Sequence, residues 1–264
     1  MPLRLAAALA VFVAACATPS SRIDGVAVRN GYSRLVLPGR DFAHVAYVKP
    51  GIRGSVLHVY IEHDGTPWAT PTTPAADPTP SHPLALELMA QDDAPALYLG
   101  RPCYFGRASE SPCEPIWWTH RRYSRPVIES MDAALGTFLA GHPQYESLQF
   151  FGYSGGGVIA TLMAADFPQT TRLVTVAAPL DIEGWTTRHG YARLEGSLHP
   201  LLEPPLSPAI AQSHFVGGAD DVVPAALVEP FVALQYGASL QSVAQFTHYC
   251  CWESVWKGTI LRQR

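Results

Sequence analysis

An α/β fold is what this sequence predicts: a mostly parallel central sheet with helices on both faces and a small, loop-like lid. Three observations carry that expectation. Short β-branched and aromatic runs alternate with runs of helical spacing along most of the chain. The apolar run 148–151 passes through Gly152-Tyr153-Ser154-Gly155-Gly156 into a helix-like stretch at 158–166. That order, strand then sharp turn then helix, presents a serine at the top of a sheet. Two later strand-like runs lead into a loop holding Asp220 and a loop holding His248.

The chain opens on a segment that stands apart. Met1-Pro2-Leu3-Arg4 carries one positive charge and residues 5–15 are apolar, the n-region and h-region of a signal peptide. The stretch ends in Val13-Ala14-Ala15-Cys16, which resembles the lipobox of bacterial lipoproteins. The resemblance implies cleavage before Cys16 and acylation of its sulfur. Several acyl chains would anchor a protein stably, where one holds only marginally. Ala17, not aspartate, follows the cysteine, and the sorting rule that comes with the lipobox then points to the outer membrane, facing the periplasm. Residues 1–16 are therefore set aside, 17–25 read as a tether, and 26–264 as one domain.

Within that domain the elements follow in order. Runs 43–48 and 56–61 read as strands, the second rich in β-branched residues. Residues 83–91 have helical spacing, with Leu84, Leu86, Leu88 and Met89 clustered. Residues 96–99 form a short buried strand, and 123–139 a long amphipathic helix. The strand 148–151 and helix 158–166 flank Ser154. Strands at 173–177 and 213–216, a helix at 225–236 and a last strand at 240–244 complete the pattern. Ligands in such sheets bind at the carboxyl ends of the strands. Two proline-rich segments, 66–83 and 181–208, break the rhythm and read as binding loops or surface excursions.

Composition narrows the function. The net charge is −4 and no Lys/Arg block is present, so nucleic acid is not an expected partner. No internal apolar stretch is long enough to span a membrane. No cofactor or metal is expected either: His58 and His63 lack an H-E-x-x-H helix, and no C-x-x-C pair exists. Export favours disulfides among the remaining cysteines. Cys103 and Cys113 would close a short loop, while Cys250 and Cys251 would need a vicinal bridge or stay as buried thiols.

A serine hydroxyl needs a base to take its proton, and the base needs an orienting carboxylate. Ser154, then Asp220, then His248 follow the chain order Ser, acid, His, each after a strand. Asp221 and Asp181 are rivals for the acid. His214 lies inside a strand and reads as packed. Two backbone N–H groups must face the developing oxyanion. One is that of Gly155; the other falls in His63-Asp64-Gly65-Thr66, after an early strand. Arg101 and Arg122 are candidates for substrate contact, with a structural ion pair as the competing reading. Tyr153, Trp68, Trp117, Trp118 and Trp185 could line a substrate pocket or serve as core and rim aromatics.

Taken together, Tyr60 to Trp68, Tyr98 to Cys103, Gly152 to Gly157, Gly217 to Pro224 and His248 to Trp252 resemble the α/β-hydrolases, specifically the uncharacterised lipoprotein hydrolases of proteobacteria. The resemblance implies the α/β-hydrolase fold and serine-hydrolase chemistry. Its acid-loop pattern, G-x-x-D-x-x-V-P, fits Gly217, Asp220, Val223 and Pro224, which favours Asp220. Its oxyanion loop favours Thr66 as the second donor, with Gly65 and Asp64 as alternatives. The implied partners are a small-molecule or lipid ester and, through the anchor, a membrane; the oligomeric state is not legible. Rival readings are an envelope acyltransferase and a non-catalytic binding protein on the same fold.

Overall fold

The computed structural model describes residues 18–49 and 53–262. The leader and Cys16 lie outside the described residues. The first described element is α1, Pro19–Arg29. Thr18 caps it by accepting a hydrogen bond from the Ser21 N–H (3.2 Å), and Pro19 opens it, where a missing N–H costs nothing. Ile23, Val26 and Ala27 are buried against the body. This corrects the tether expected over 17–25: from Pro19 onward the chain is helix, packed on the domain.

The strands follow as β1 Ser33–Pro38, β2 Ala43–Val48, β3 Val56–Ile61, a small hairpin of β4 Trp68–Thr70 with β5 Thr73–Pro74, and then helix α2 Leu84–Ala90 and strand β6 Ala96–Leu99. Helix α3 Arg125–Ala140 leads to β7 Ser147–Tyr153, α4 Gly155–Asp166, β8 Thr170–Val176 and α5 Ile182–His189. Then come β9 Ala211–Gly217, α6 Glu229–Leu234 and β10 Ser239–Val243, followed by helical turns at Glu253–Val255 and Trp256–Ile260. The single helix expected over 225–236 is instead a 3-10 turn at Ala225–Leu227 followed by α6. Pro230 sits in the first turn of α6 and cannot donate the bond that would continue a helix through it.

Eight strands form one sheet in the order β1-β2-β6-β3-β7-β8-β9-β10. From β6 to β10 every pairing is parallel, while β1 and β2 are antiparallel additions at one edge. Alternate residues of the central strands feed two separate cores. Val59, Ile61, Phe150 and Leu173 face α3 and α4; Tyr60, Phe151, Tyr153 and Val174 face α1, α2 and the C-terminal turns around Trp252 and Trp256. This is the mostly parallel, two-faced sheet expected from the alternation of runs. It puts the ends of β3, β6, β7, β8, β9 and β10 along one rim.

Candidate active site

Ser154 occupies the turn between β7 and α4 at φ 51°, ψ −127°, a conformation few non-glycine residues adopt. The glycines on either side make the turn feasible. A Cβ on Gly152 would stand 2.4 Å from the Gly156 carbonyl oxygen, and one on Gly156 would stand 2.2 Å from that of Ile61. The helix therefore folds back against its own strand and against the end of β3. Its first turn points free N–H groups and the positive end of the helix dipole at the space beside the serine.

Three strand ends meet there. The Ser154 hydroxyl lies 3.0 Å from His248 Nε2, and His248 Nδ1 lies 3.0 Å from Asp220 Oδ2. Asp220, an acceptor, fixes the tautomer: Nδ1–H donates to it, leaving Nε2 to accept from Ser154. The other oxygen, Asp220 Oδ1, accepts the Val222 and Val223 N–H groups at 2.9 and 2.8 Å. Asp220 and His248 are both buried. Asp181 is elsewhere: its Oδ1 caps α5 through the Gly184 N–H (2.8 Å). His214 is buried in β9, accepting from or donating to Thr175 Oγ1 at 2.8 Å, as a packed histidine would.

The loop after β3 lies across the first turn of α4. A Cβ on Gly155 would stand 2.0 Å from Asp64 Oδ1 and 2.5 Å from the Tyr123 hydroxyl oxygen. The loop's own N–H groups are mostly committed. That of His63 donates to Glu62 Oε1 (3.2 Å), that of Gly65 to His63 Nδ1 (3.0 Å), and that of Thr66 to the Pro78 carbonyl (2.9 Å). Thr66 is thereby removed as an oxyanion donor. The Asp64 N–H has no acceptor among the described residues, and neither does the Gly155 N–H at the start of α4.

Asp64 is held from several sides. Arg101 reaches Oδ1 at 2.7 Å, Arg122 reaches Oδ2 at 2.8 Å, and the Tyr123 hydroxyl donates to Oδ2 at 2.7 Å. The Tyr104 hydroxyl donates to the Asp64 carbonyl at 2.8 Å. Burial by itself would raise the Asp64 carboxyl; Arg101 and Arg122 overcome it and hold the group well below the usual carboxylate range. Two buried guanidiniums thus face one carboxylate beside the serine. Next to it, burial pushes Glu62 up to about 8. Glu62 Oε2 accepts the Ala85 N–H of α2 at 2.9 Å, tying the loop to that helix. Desolvation lowers His63 to about 4, which keeps it a neutral ring.

These positions turn Arg101 and Tyr153 away from substrate contact and bear out the competing ion-pair reading for Arg122. Arg101 is 3% exposed and belongs to the Asp64 cluster, as does Arg122. Tyr153 is 3% exposed; its hydroxyl donates to the His248 carbonyl at 3.0 Å, and its ring packs edge-on to His63 at 5.4 Å. Trp68 stands on the β4–β5 hairpin with its ring against His120, and Trp118 is core. Trp185 packs on His189 and Tyr191. The Asp64 cluster was not foreseen. An arginine after β6 and another before α3 were visible, but only the fold brings them to one carboxylate.

Cys103 and Cys113 are bonded, closing the short loop expected of them. Cys250 and Cys251 are paired with each other and exposed, the vicinal bridge of the two arrangements open to them.

No protein-family model and no curated protein matches the sequence. Solved structures do match it in fold. An esterase from Pyrococcus furiosus is 12% identical and superposes with a TM-score of 0.59, over 87% of this chain and 90% of its own. An α/β serine hydrolase homologue from Coxiella burnetii is 16% identical, with a TM-score of 0.51 over 85% of this chain and 91% of its own. An α/β serine hydrolase without a lid, from Xanthomonas campestris, is 12% identical, with a TM-score of 0.50 over 83% and 86% of the two chains. The chain has the α/β-hydrolase fold.

Proposed function

We propose that the protein is a serine hydrolase that cleaves carboxylic esters through an acyl-enzyme on Ser154 and is held by lipid on Cys16 in the cell envelope. The observation that carries the chemistry is the relay from Ser154 to His248 to Asp220, 3.0 Å at each step, beside two uncommitted N–H groups. Ser154 Oγ attacks the ester carbonyl carbon as His248 Nε2 takes the hydroxyl proton. The oxygen that becomes negative is received by the N–H groups of Gly155 and Asp64. The C–O bond to the leaving alcohol then breaks, and His248 returns the proton to that oxygen. Water repeats the sequence on the acyl-enzyme, releasing the acid and restoring Ser154. Asp220 keeps Nδ1 protonated throughout and stabilises the imidazolium.

Esters fit better than amides because alkoxide leaving groups ask less of the general acid. The fold, shared with an esterase and with serine hydrolases, supports the reading without fixing the substrate. The lipid anchor rests on Val13-Ala14-Ala15-Cys16. A fluorophosphonate probe should label the wild type and fail to label Ser154→Ala, and a p-nitrophenyl ester series of graded chain length should be turned over by the first alone. Equal labelling of both proteins, or equal turnover, would sink the assignment.

A further inference from the structure

The helix that replaces the expected tether fixes which way the domain can face. Ser33, which follows the turn after α1, pairs with Val48, and Val48 pairs with Leu97 near the start of β6. Leu97 is level with Val59 and Phe150, midway along β7, so the C-terminal end of α1, before Ser33, lies on the side of the sheet away from the serine. The helix runs from the rim that carries Ser154 toward that side. Its first turn sits at the rim loops: Ser20 Oγ lies 3.5 Å from Asp77 Oδ2 in the connection between β5 and α2. The same connection supplies Pro78, whose carbonyl takes the Thr66 N–H beside the oxyanion loop.

The helix is not free to swing. Ile23 is fully buried, and Asp24 accepts from the Tyr47 hydroxyl at 2.6 Å and pairs with Arg34 at 3.2 Å. Cys16 stands two residues before Thr18, the cap of α1. Two residues reach at most roughly 7 Å. Any acyl chain on Cys16 is thus attached close to the catalytic rim.

The rim itself presents two exposed aromatics. Tyr249 is 73% exposed, with its ring 5.0 Å from that of His248. Tyr191 is 57% exposed and stacks on His189, whose Nε2 donates to the Val222 carbonyl of the acid loop at 2.9 Å. Tyrosine, apolar in body and polar at the tip, suits the headgroup layer of a bilayer.

We infer that the catalytic rim docks on the lipid surface that carries the anchor, so that Ser154 faces the bilayer and takes esters presented there. The inference rests on acylation of Cys16 and not on the identity of the ester.

The test uses the full chain, expressed with its leader, purified and reconstituted into phosphatidylethanolamine–phosphatidylglycerol vesicles. Its companion carries a flexible Gly/Ser insertion of about 20 residues after Ala17, which frees the body from the surface while leaving the anchor. Amide hydrogen exchange at 188–193 and 246–251 should be several-fold slower in the native chain than in the insertion variant. Exchange at 141–146, at the far end of the sheet, should be the same in both. Equal exchange at the rim, or slowing at 141–146 instead, overturns the orientation. Mass spectrometry of the N-terminal peptide separates the two readings. An unmodified Cys16 overturns the anchor and the orientation together, whereas an acylated Cys16 with an unprotected rim overturns the orientation alone. Turnover of a water-soluble p-nitrophenyl ester by both proteins reports the catalytic reading independently.

Discussion

The Asp64 carboxylate lies directly against the backbone of Gly155, so near that a Cβ on the glycine would stand 2.0 Å from Oδ1. The residue after the nucleophile and the loop after β3 are therefore fitted to each other, with no room for a side chain between them. Gly155→Ala should force the loop and the first turn of α4 apart. Loss of one oxyanion donor costs about 100- to 1,000-fold in kcat, and that is the expected size of the effect. KM for a p-nitrophenyl ester should change much less. A variant with wild-type kcat would remove the Asp64 loop from the site.

Asp64 also holds two buried guanidiniums, those of Arg101 and Arg122. Asp64→Asn leaves both without a counter-charge, and breaking a buried pair costs about 3–5 kcal/mol. Urea midpoints of wild type and variant measure this directly. Because the carboxyl is held low, its contribution is present above the ordinary carboxylate range and is lost as pH falls through its depressed folded value. The gap between the two proteins should therefore be wide at neutral pH and narrow in strong acid. A constant gap would show that the ion pairs are not its source.

Asp220, rather than its neighbour, meets His248. Asp220→Asn should lower kcat by about 10,000-fold, the scale seen when a triad acid is made neutral. Asp221→Asn and Asp181→Asn should stay near wild type in kcat. A large loss in Asp221→Asn with a small one in Asp220→Asn would reassign the acid.

Three neutral histidines make the fold sensitive to mild acid. Burial lowers His44 and His63 to about 4 and His214 to about 3. Their folded values lie below the unfolded one, so the unfolded chain takes up protons first as pH falls. Stability is then lost below the ordinary histidine range, by about 1.4 kcal/mol per pH unit for each histidine, until each folded value is reached. Urea midpoints taken between neutral pH and pH 5 should fall steeply. A flat profile would mean these rings are not held neutral.

What the sequence made legible was local. The elbow announces itself because strand, small residues and helix are contiguous, and Asp220 and His248 sit just past their own strands. Strand β1 escaped notice because it is an edge strand with mostly exposed residues and no alternation. Helix α1 carries a Thr-Pro start that could have flagged it, but its position behind the leader made it read as a tether. Thr66, favoured by the resemblance, drops out because its N–H is taken by the Pro78 carbonyl twelve positions further on, a contact no local pattern reveals. Arg101 and Tyr153 failed as substrate contacts for the same reason: residue type says what a side chain can do, and only the fold decides which way it turns.

Tyr153, the variable position of the serine motif, touches all three parts of the site. It ends the strand that leads into Ser154, its ring packs on His63 of the loop after β3, and its hydroxyl donates to the His248 carbonyl. Those parts are separated by some 90 residues on either side of the serine. Competence therefore arrives late in the life of the chain. Until β10 and the turn behind it are in place, Ser154 lacks His248 and His248 lacks the tyrosine contact that seats it, so on the proposed mechanism a partly synthesised chain is chemically silent.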